Sequence, residues 1–304
     1  MYDWQVKLFS KEKLYLAGPE CFYTNGYTLW DSMRRKAEYY GFGVTMPSDN
    51  PVDMSSPDRR DHAKAIFQNC ARCMNESTAI LVDLETFRGA EPDGGSIYEL
   101  GMAYARGIRC YGYTRDKRPL TWKVQGAHLA DGVVCGPDNK PLPYADLPFA
   151  PSIVGASKVI EGDLSDCLRL MMIDLEEDAK NQALGLQKAQ QNPAAPAAHD
   201  RPVVYLASAE RYDPDACAKY EQMKAICASY GFDAVAPMDL VDNEAAADPE
   251  NPYQTAAQLF HRYQQHVRDC DIILADLNDF RGYEPSNDVS FECGMGYQLG
   301  KKLF

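Results

Sequence analysis

Ala79-Ile80-Leu81-Val82 opens the stretch that decides the fold, which runs from residue 79 to residue 113 as AILVDLETFRGAEPDGGSIYELGMAYARGIRCYGY. Its four apolar residues predict a short buried strand, and a polar loop follows it through Gly95. Residues 96–106 have helical spacing, and Gly107 ends that helix. A further strand is expected at Ile108–Tyr113. Strand, helix and strand in this order predict one crossover unit of a parallel sheet.

The flanking residues continue this alternation. Apolar runs that end at turn residues predict strands at residues 14–17 and 43–46. Helical spacing predicts helices at residues 30–40 and 61–74, and a last helix near residues 164–174. Regular alternation of strands and helices indicates an α/β protein with a doubly wound parallel sheet.

The same pattern occurs twice in the chain. The early matches are separated by 190 residues and the later ones by 193, so they stay in register apart from one short insertion. They pair Tyr15-Leu16-Ala17 with Tyr205-Leu206-Ala207, Tyr40-Gly41-Phe42 with Tyr230-Gly231-Phe232, Phe87-Arg88-Gly89 with Phe280-Arg281-Gly282, and Glu99 with Glu292. Two α/β domains in tandem are therefore predicted.

The domain boundaries follow from the repeat. We predict a first domain at residues 1–175, a linker at 176–202 and a divergent second domain at 203–304. The linker is rich in Ala, Gln and Pro and has no large apolar residue after Leu186, so we expect the tail of a helix followed by a flexible segment. The second copy stops soon after Glu292, so we expect it to be truncated or degenerate.

Composition narrows the classes of partner. The 304 residues carry a net charge of −13, which disfavours binding to nucleic acid polymers or to an acidic membrane surface. No apolar run is long enough for a signal peptide or a membrane span. Ten scattered cysteines fit reduced thiols in a cytoplasm, and the single CxxC, Cys70 and Cys73, is more typical of a helix with two buried thiols than of a zinc site. A small ligand is the expected partner.

Polar residues collect where the predicted strands end. Ligands bind beyond the carboxyl ends of the strands in doubly wound sheets. That edge should carry Tyr15, the Gly18-Pro19 turn, Asp49, Asp83 and the loop at residues 85–95, which contains Arg88 and Gly89. These residues are candidate substrate contacts.

Carboxylates at this edge suit glycoside chemistry. Asp49, Asp83, Asp93 and Glu99 converge there in the predicted topology. One carboxylate can attack an anomeric carbon while another manages the proton of the leaving group. We expect Glu99 in the first turn of its helix, where the helix dipole favours an ionised carboxylate.

A structural interpretation of Glu99 has equal weight from this motif alone. Ser96 and Glu99 have the spacing of a capping box, which would explain the glutamate without catalysis. The second copy keeps Glu292 but has Val289 in place of Ser96, so capping does not explain both glutamates. Asp93 and Asp49 could likewise be turn residues, Tyr15 a core residue, and Arg88 a surface residue.

The motifs resemble the nucleoside 2-deoxyribosyltransferase family. The resemblance rests on residues 15–19 (YLAGP), residues 47–50 (PSDN) and residues 83–103 (DLETFRGAEPDGGSIYELGMA), and it covers residues 13–172 and, more weakly, 203–304. It implies flavodoxin-like domains, transfer of 2-deoxyribose between nucleobases through a covalent glycosyl-enzyme intermediate, and no metal or cofactor. The implied partners are a nucleoside and a free nucleobase.

The resemblance also implies roles for individual residues. Glu99 would be the nucleophile, Tyr15 would orient it, and Asp93 would contact the sugar hydroxyl or the base. Gly18 and Pro19 would form the floor under the base. The remaining predicted contacts are Asp49, Asp83, Arg88, Gly89, Gly95 and Ser96, with Tyr205, Asp276 and Glu292 as their counterparts in the second copy.

Two departures from the family pattern keep other functions open. A family Asp or Asn on the second helix corresponds to Cys70 here and to Tyr263 in the second copy. Leu147-Pro148-Phe149 is followed by Ala150 rather than by the family's Asn, which members supply to a neighbouring subunit.

In the second copy, Ser208-Ala209 replaces Gly18-Pro19 and Ser286 replaces Asp93. An N-glycoside hydrolase acting on nucleosides or their 5′-monophosphates, and a nucleotide-sensing module without turnover, remain alternatives. We expect the second copy to be a structural partner that forms a pseudo-dimer within the chain, with a higher homo-oligomer as the alternative assembly.

Overall fold

The computed structural model describes residues 2–142, 144–186, 199–239 and 251–304. The chain divides into two compact units that do not follow the boundary of the repeat. The first unit comprises residues 1–84, 107–115 and 159–193, and the second comprises residues 85–106, 116–158 and 194–304. Residues 187–198 of the predicted linker lie outside the described residues.

The first copy contains the alternation that its sequence predicts, with a hairpin added. Its elements, in chain order, are α1 (Asp3–Phe9), β1 (Lys13–Ala17), α2 (Gly26–Tyr39), β2 (Gly43–Thr45), α3 (Arg59–Glu76), β3 (Ala79–Asp83), α4 (Gly94–Ala105), β4 (Arg109–Thr114), β5 (His128–Ala130), β6 (Val133–Cys135), α5 (Pro151–Ala156), β7 (Lys158–Glu161) and α6 (Leu164–Ala183). Helix α6 extends through the first part of the predicted linker, as expected for a helix tail.

The second copy repeats the order of these elements. It contains β8 (Val203–Ala207), α7 (Ala216–Ser229), β9 (Asp233–Val235), α8 (Pro252–Asp269), β10 (Ile272–Ala275), α9 (Asn287–Gln298) and β11 (Lys302–Leu303). Within the described ranges, no helix is both long and apolar enough to cross a membrane.

The first four strands have the same order in both copies. The first sheet runs β2-β1-β3-β4-β7, and the second, read from its opposite edge, runs β9-β8-β10-β11. Strands β1 to β4 pair in parallel, as do β8 to β11. The order 2-1-3-4-5 is that of flavodoxin-like folds, so the predicted fold of two flavodoxin-like domains in tandem is confirmed.

The core of the first unit forms because its strands are apolar on both faces. Leu14 and Leu16 of β1 and Leu81 of β3 are nearly inaccessible and pack with Leu168 and Met171 of α6. A central parallel strand is covered by helices on both faces, which explains why its sequence is continuously apolar rather than alternating.

The start of α4 differs from the prediction. The helix begins at Gly94 rather than Ser96, and Asp93 is its N-cap, with Oδ2 accepting hydrogen bonds from the Ser96 N–H at 2.8 Å and the Ser96 hydroxyl at 2.6 Å. The predicted capping box of Ser96 and Glu99 is therefore wrong, because an Asp three residues upstream of Ser96 competes for the cap and wins. Glu99 lies in the second turn, not the first.

Within the second unit, α4 and α9 approach at backbone distance. A Cβ added to Gly101 would lie 2.1 Å from the carbonyl oxygen of Phe291, and one added to Gly294 would lie 1.9 Å from that of Tyr98. Gly101 and Gly294 are equivalent positions, 193 residues apart. Each helix thus presents the same glycine to the other, as in an isologous interface.

Candidate active site and its altered second copy

The predicted residues of the first unit lie at the carboxyl ends of β1 and β3. Ala17, the last residue of β1, pairs with Val82, and Asp83 ends β3. Gly18 follows Ala17 directly. A Cβ added to Gly18 would lie 3.1 Å from Cβ of Asp83 and 2.3 Å from Oε2 of Glu20. Gly18 is therefore required for this close approach, while Tyr15 is buried within the strand.

Glu20 and Tyr113 belong to this edge and were missed by the sequence analysis. Glu20 lies in the short 3₁₀ helix Pro19–Phe22 and is only 6 % exposed, although glutamate carboxylates are usually solvated. Burial raises the pKa of the Tyr113 hydroxyl well above its ordinary range, and the negative charges of Asp83 and Glu20 raise it further. Glu20 directly follows the Gly18-Pro19 turn in the sequence, and this position is the signal that could have marked it as a residue of the edge.

Asp49 has a local structural role. It forms an ion pair with Arg34, and its Oδ2 accepts a hydrogen bond from the Met46 N–H at 3.0 Å. Asp239 does the same in the second copy, where it pairs with Lys224 and accepts from the Ala236 N–H. These contacts fit the interpretation of Asp49 as a turn residue.

The predicted residues of the second unit surround the start of α4. Asp93 and Ser96 are buried and bonded to each other, Gly95 is exposed, and Glu99 is half-buried one turn further along. The helix dipole acts mainly on the first turn, so it bears on Asp93 and Ser96 more than on Glu99. The expected stabilisation of Glu99 by a first-turn position is thus corrected.

Arg88 and Gly89 contact the second copy. Nη1 of Arg88 lies 3.5 Å from Oε1 of Glu284, and Gly89 forms an antiparallel backbone bridge with Gly282. The reciprocal pair joins Nη1 of Arg281 to Oε1 of Glu91 at 3.9 Å. The repeated Phe-Arg-Gly triplet thus pairs with its own counterpart.

Within the second copy, the residue equivalent to the predicted nucleophile is enclosed. Glu292 is 3 % exposed, and its Oε1 accepts a hydrogen bond from the Tyr205 hydroxyl at 2.7 Å. Arg211 donates to both carboxylate oxygens, from Nη1 and from Nη2, each at 2.7 Å. Bidentate arginine pairs of this kind are among the strongest charge-assisted hydrogen bonds.

Arg211 has further partners in the second copy besides Glu292. Its Nε donates to the Ser208 carbonyl at 3.0 Å, and its guanidinium lies 5.2 Å from the ring centre of Tyr263. Burial has the largest single effect and lowers the pKa of Arg211, but Glu292, Tyr205 and Tyr220 together raise that pKa well above its ordinary value, so the guanidinium stays charged. Burial raises the pKa of Glu292, and Arg211 opposes that rise.

The space beside Glu292 is closed. The gap bounded by Phe260, Tyr263, Phe291 and Glu292 has no room for a water molecule. The equivalent of Arg211 in the first copy is Cys21, 190 residues earlier, whose side chain carries no cation and is exposed. The repeat does not reveal this arginine, because the two copies carry different residues at this position.

The other altered positions also acquire local partners. Asp276, the counterpart of Asp83, accepts hydrogen bonds from Ser208 and Asn278.

Two sequence features of the first copy are largely enclosed. The first is the Leu147-Pro148-Phe149 segment, in which Leu147, Phe149 and the following Ala150 are buried. The second is the CxxC pair, of which Cys73 is buried and Cys70 is half-buried. Within the described ranges, no group of three or more His, Cys, Asp or Glu side chains could hold a metal ion.

The strand order defines a flavodoxin-like protein, with Glu20 and Asp83 beside Gly18 at the ends of its strands. The model of one family, nucleoside 2-deoxyribosyltransferase, matches residues 14–142 and 204–304, which is more than half of the chain. This chain therefore belongs to the nucleoside 2-deoxyribosyltransferase family, with both copies matched.

Two solved structures are similar in part. A 2-desoxiribosyltransferase from Leishmania mexicana has 24% sequence identity and a TM-score of 0.41, covering 53% of this chain and 97% of its own. A conserved protein from Enterococcus faecalis V583 has 19% identity and a TM-score of 0.32, covering 55% of this chain and 98% of its own. A comparison with curated proteins finds no match.

Proposed function

We propose that this chain transfers 2-deoxyribose from a nucleoside to a second nucleobase through a covalent intermediate on Glu99. A carboxylate oxygen of Glu99 would attack C1′ of the sugar. The N-glycosidic bond breaks, its electron pair stays on the base, and the departing base takes up a proton. A ring nitrogen of the acceptor base then attacks C1′, displaces Glu99 as a carboxylate and loses its proton, which balances the proton taken up by the first base.

The contact between Tyr205 and Glu292 is the observation that best supports this assignment. The hydroxyl of Tyr205 on β8 donates to the Glu292 carboxylate on the second turn of α9 at 2.7 Å. Tyr15 and Glu99 occupy the equivalent positions on β1 and α4. We infer that Tyr15 orients Glu99 in the same way, so that the carboxylate is held for attack.

The remaining predicted residues complete the proposed site. Asp93 would contact the sugar hydroxyl or the base, and Gly18 and Pro19 would support the base. Asp49, Asp83, Arg88, Gly89, Gly95 and Ser96 remain predicted substrate contacts. The second copy would serve as a folded partner, forming a pseudo-dimer within the chain, and the proposed role is cytoplasmic nucleoside salvage.

Hydrolysis is a second candidate that a specific observation favours. Cys70 and Ala150 replace family residues that carry polar side chains: Ala150 has no polar side-chain atom, and the Cys70 thiol hydrogen-bonds only weakly, so neither holds a second base well. Water could then be the acceptor. A sensing module without turnover is the third candidate.

Product analysis separates these candidates. The chain is incubated with a panel of deoxynucleosides, each with and without a second free base, and products are resolved by chromatography. Transfer requires a new nucleoside that forms only when the acceptor base is present. Equal release of base with or without an acceptor indicates a hydrolase, and no product with any donor contradicts catalysis.

The covalent intermediate has its own test. With a deoxynucleoside and no acceptor, intact-mass spectrometry should detect a deoxyribosyl adduct, which peptide mapping should place on Glu99. An adduct on Glu292 alone would contradict the assignment of the working site.

A further inference from the structure

The start of α4 lies against two side chains of the second copy. The Gly94 N–H donates a hydrogen bond to Oε2 of Glu284 at 2.6 Å, and Oε1 of Glu284 lies 3.5 Å from Nη1 of Arg88. A Cβ added to Gly94 would lie 3.0 Å from Oε2 of Glu284 and 3.2 Å from Oγ of Ser290 in α9. Glycine at position 94 therefore leaves room for both side chains of the second copy.

Glu284 satisfies a backbone group that has no acceptor within α4. The first N–H groups of a helix lack intrahelical partners. Oδ2 of Asp93 accepts from the N–H of Ser96, the third residue of the helix, and an N-cap side chain of this kind reaches the second or third residue. The first residue, Gly94, donates to Glu284 instead. The second copy thus supplies part of the cap of α4.

The sequence of α4 gives this contact particular weight. Gly94 and Gly95 are the first two residues of the helix, and glycine loses more backbone freedom in a helix than any other residue. The equivalent residues of α9, 193 positions later, are Asn287 and Asp288. The first turn of α4 therefore has the weaker tendency to remain helical, and a contact from outside the helix has more effect there.

The reverse contact acts on α9, the helix of the second copy. Glu91 is the equivalent of Glu284, 193 residues earlier. Burial raises the pKa of Glu91, and a hydrogen bond from the Asn287 backbone is among the contacts that oppose this rise. Asn287 is in turn the equivalent of Gly94. Each copy therefore caps the helix of the other, but only Glu284 acts on the helix that carries the proposed nucleophile.

Glu284 also lies near a predicted substrate contact. Burial raises the pKa of Glu284, the hydrogen bond from Gly94 opposes the rise, and the negative charge of Asp93 adds to it. The Glu284 side chain is 20 % exposed, so its charge is only partly screened by the solvent. One side chain therefore acts on both the backbone and the carboxylate at the start of α4.

We propose that Glu284 is a positioning residue of the first-copy site, which fixes the start of α4 so that Asp93 and Glu99 keep the geometry that the reaction requires. This proposal rests on the proposed function, in which Glu99 attacks the sugar. A misplacement of about 1 Å can reduce a rate by about 100-fold, so a contact that never touches the substrate can control the rate. The second copy thus contributes a defined side chain to catalysis in addition to its packing.

Three variants separate positioning from stability. Glu284→Leu removes the acceptor, Glu284→Gln keeps an oxygen that can accept from the Gly94 N–H, and Glu91→Leu makes the matched change against α9. Rates of transfer, or of base release if water is the acceptor, are measured below the unfolding temperature of every variant. We expect Glu284→Leu to lower kcat by at least about tenfold while KM changes by less than about threefold, and Glu284→Gln to restore kcat to within about threefold of wild type.

Glu91→Leu is the control for a general loss of packing. The Glu91 side chain is 11 % exposed and that of Glu284 is 20 % exposed, so replacing Glu91 should lower the unfolding temperature at least as much. Because Glu91 acts on α9, we expect Glu91→Leu to keep at least about half of the wild-type kcat. Glu284→Ala takes the place of Glu284→Leu if the leucine variant does not fold.

Hydrogen exchange gives a second readout that does not depend on turnover. In the chain without ligand, mass spectrometry of peptides covering residues 93–99 should show exchange at least about tenfold faster in Glu284→Leu than in wild type, because the start of α4 opens more often. Glu91→Leu should leave the exchange of these peptides unchanged.

The outcomes distinguish this proposal from the proposed function. If the wild-type chain turns over but Glu284→Leu keeps its kcat, or Glu91→Leu loses as much, the positioning role is overturned and transfer stands. If the wild-type chain forms no product with any donor, the proposed function fails, and the exchange data then decide whether Glu284 fixes α4. Faster exchange in Glu284→Leu alone supports this contact, and equal exchange in both leucine variants overturns it.

Discussion

Glu99 and Glu292 occupy equivalent positions on α4 and α9 but have different surroundings. Glu292 is buried against Arg211, whereas Glu99 is half-buried and has Cys21 at the position equivalent to that arginine. An uncompensated carboxylate would be costly inside the second copy, so Arg211 explains why Glu292 is kept where catalysis is not expected. The same residue type can therefore serve chemistry in one copy and structure in the other.

Glu99→Gln should abolish turnover. A covalent nucleophile cannot be replaced by an amide, and its loss typically reduces kcat by about 10⁴-fold or more, or roughly 5 kcal/mol of barrier. Steady-state rates with a deoxynucleoside and an acceptor base measure this loss. Glu292→Gln is the matched control and should keep at least about half the rate per folded molecule. Equal loss in both variants would show that the copies are jointly catalytic.

Arg211→Met should lower the stability of the fold rather than the rate of the reaction. Leaving Glu292 buried without its cation should lower the free energy of unfolding by about 3–5 kcal/mol, and adding Glu292→Leu should restore most of it. Urea unfolding of the two single variants and the double variant measures this coupling. Cys21→Met, the matched change in the first copy, should stay within about 0.5 kcal/mol of wild type. Additive losses in the double variant would argue against a coupled pair.

Lys123 should titrate with a pKa of about 8. Burial lowers the pKa of its amine, which lies 3.9 Å from the Phe149 ring centre, while Asp116 and Glu85 oppose the change. Because the folded pKa lies below the unfolded one, the contribution of this lysine to stability rises with pH from about 8 towards the unfolded pKa. NMR of ¹³C-methylated lysines should show one signal titrating near 8 that Lys123→Arg removes; its titration near 10 would contradict the prediction.

At the level of elements, α4 and α9 pack through equivalent glycines, and the loops before them pair reciprocally. Arg88 faces Glu284 while Arg281 faces Glu91, and the Gly89–Gly282 bridge joins the two loops. Glu284 also accepts a hydrogen bond from the Gly94 N–H at 2.6 Å, at the start of α4. Each copy thus uses the same motif to hold the other, which gives the repeated triplet a structural function.

Gly101→Ala should destabilise the second unit. A methyl group there would lie 2.1 Å from a backbone oxygen of α9, which side-chain rotation cannot relieve. The overpacking should cost about 1–3 kcal/mol or more, although alanine is the better helix former. Thermal unfolding measures this cost. Gly95→Ala in the same helix, where the nearest contact is a side-chain oxygen at 3.3 Å, is the control. Equal effects of both variants would contradict tight packing at Gly101.

At the scale of the whole chain, helices of the two copies share one compact unit. Residues 85–106 of the first copy group with residues 194–304 rather than with the rest of their own copy. Ten successive residues of α9, Asn287–Gly296, are buried, which is unusual for a helix of a separate domain. The proposed catalytic helix α4 therefore depends on the second copy for part of its packing.

Deleting residues 203–304 should cost activity or solubility. The deletion removes α9, against which α4 packs, and would expose apolar residues that are now buried. Activity of the shortened chain and its state in size-exclusion chromatography measure the effect. A soluble, monomeric fragment with full activity would contradict a supporting role for the second copy.

The sequence by itself determined the fold and the duplication. Apolar runs such as residues 79–82 and their helical neighbours are local signals, and repetition at a fixed spacing needs no tertiary knowledge. The same local signals misplaced the start of α4, because Asp93 and Ser96 are both good caps and sequence does not rank them. Local patterns therefore identified elements better than their ends.

Only the tertiary structure decided what the repeated polar residues contact. Arg211 is 81 residues from Glu292 in the chain, and Arg88 is far from Glu284, so no local spacing reveals either pair. The buried state of Glu20 was hidden for the same reason, since burial depends on which distant segments cover a loop. Charge pairing and burial are properties of packed surfaces, and they arise only when segments that are distant in the chain have packed together.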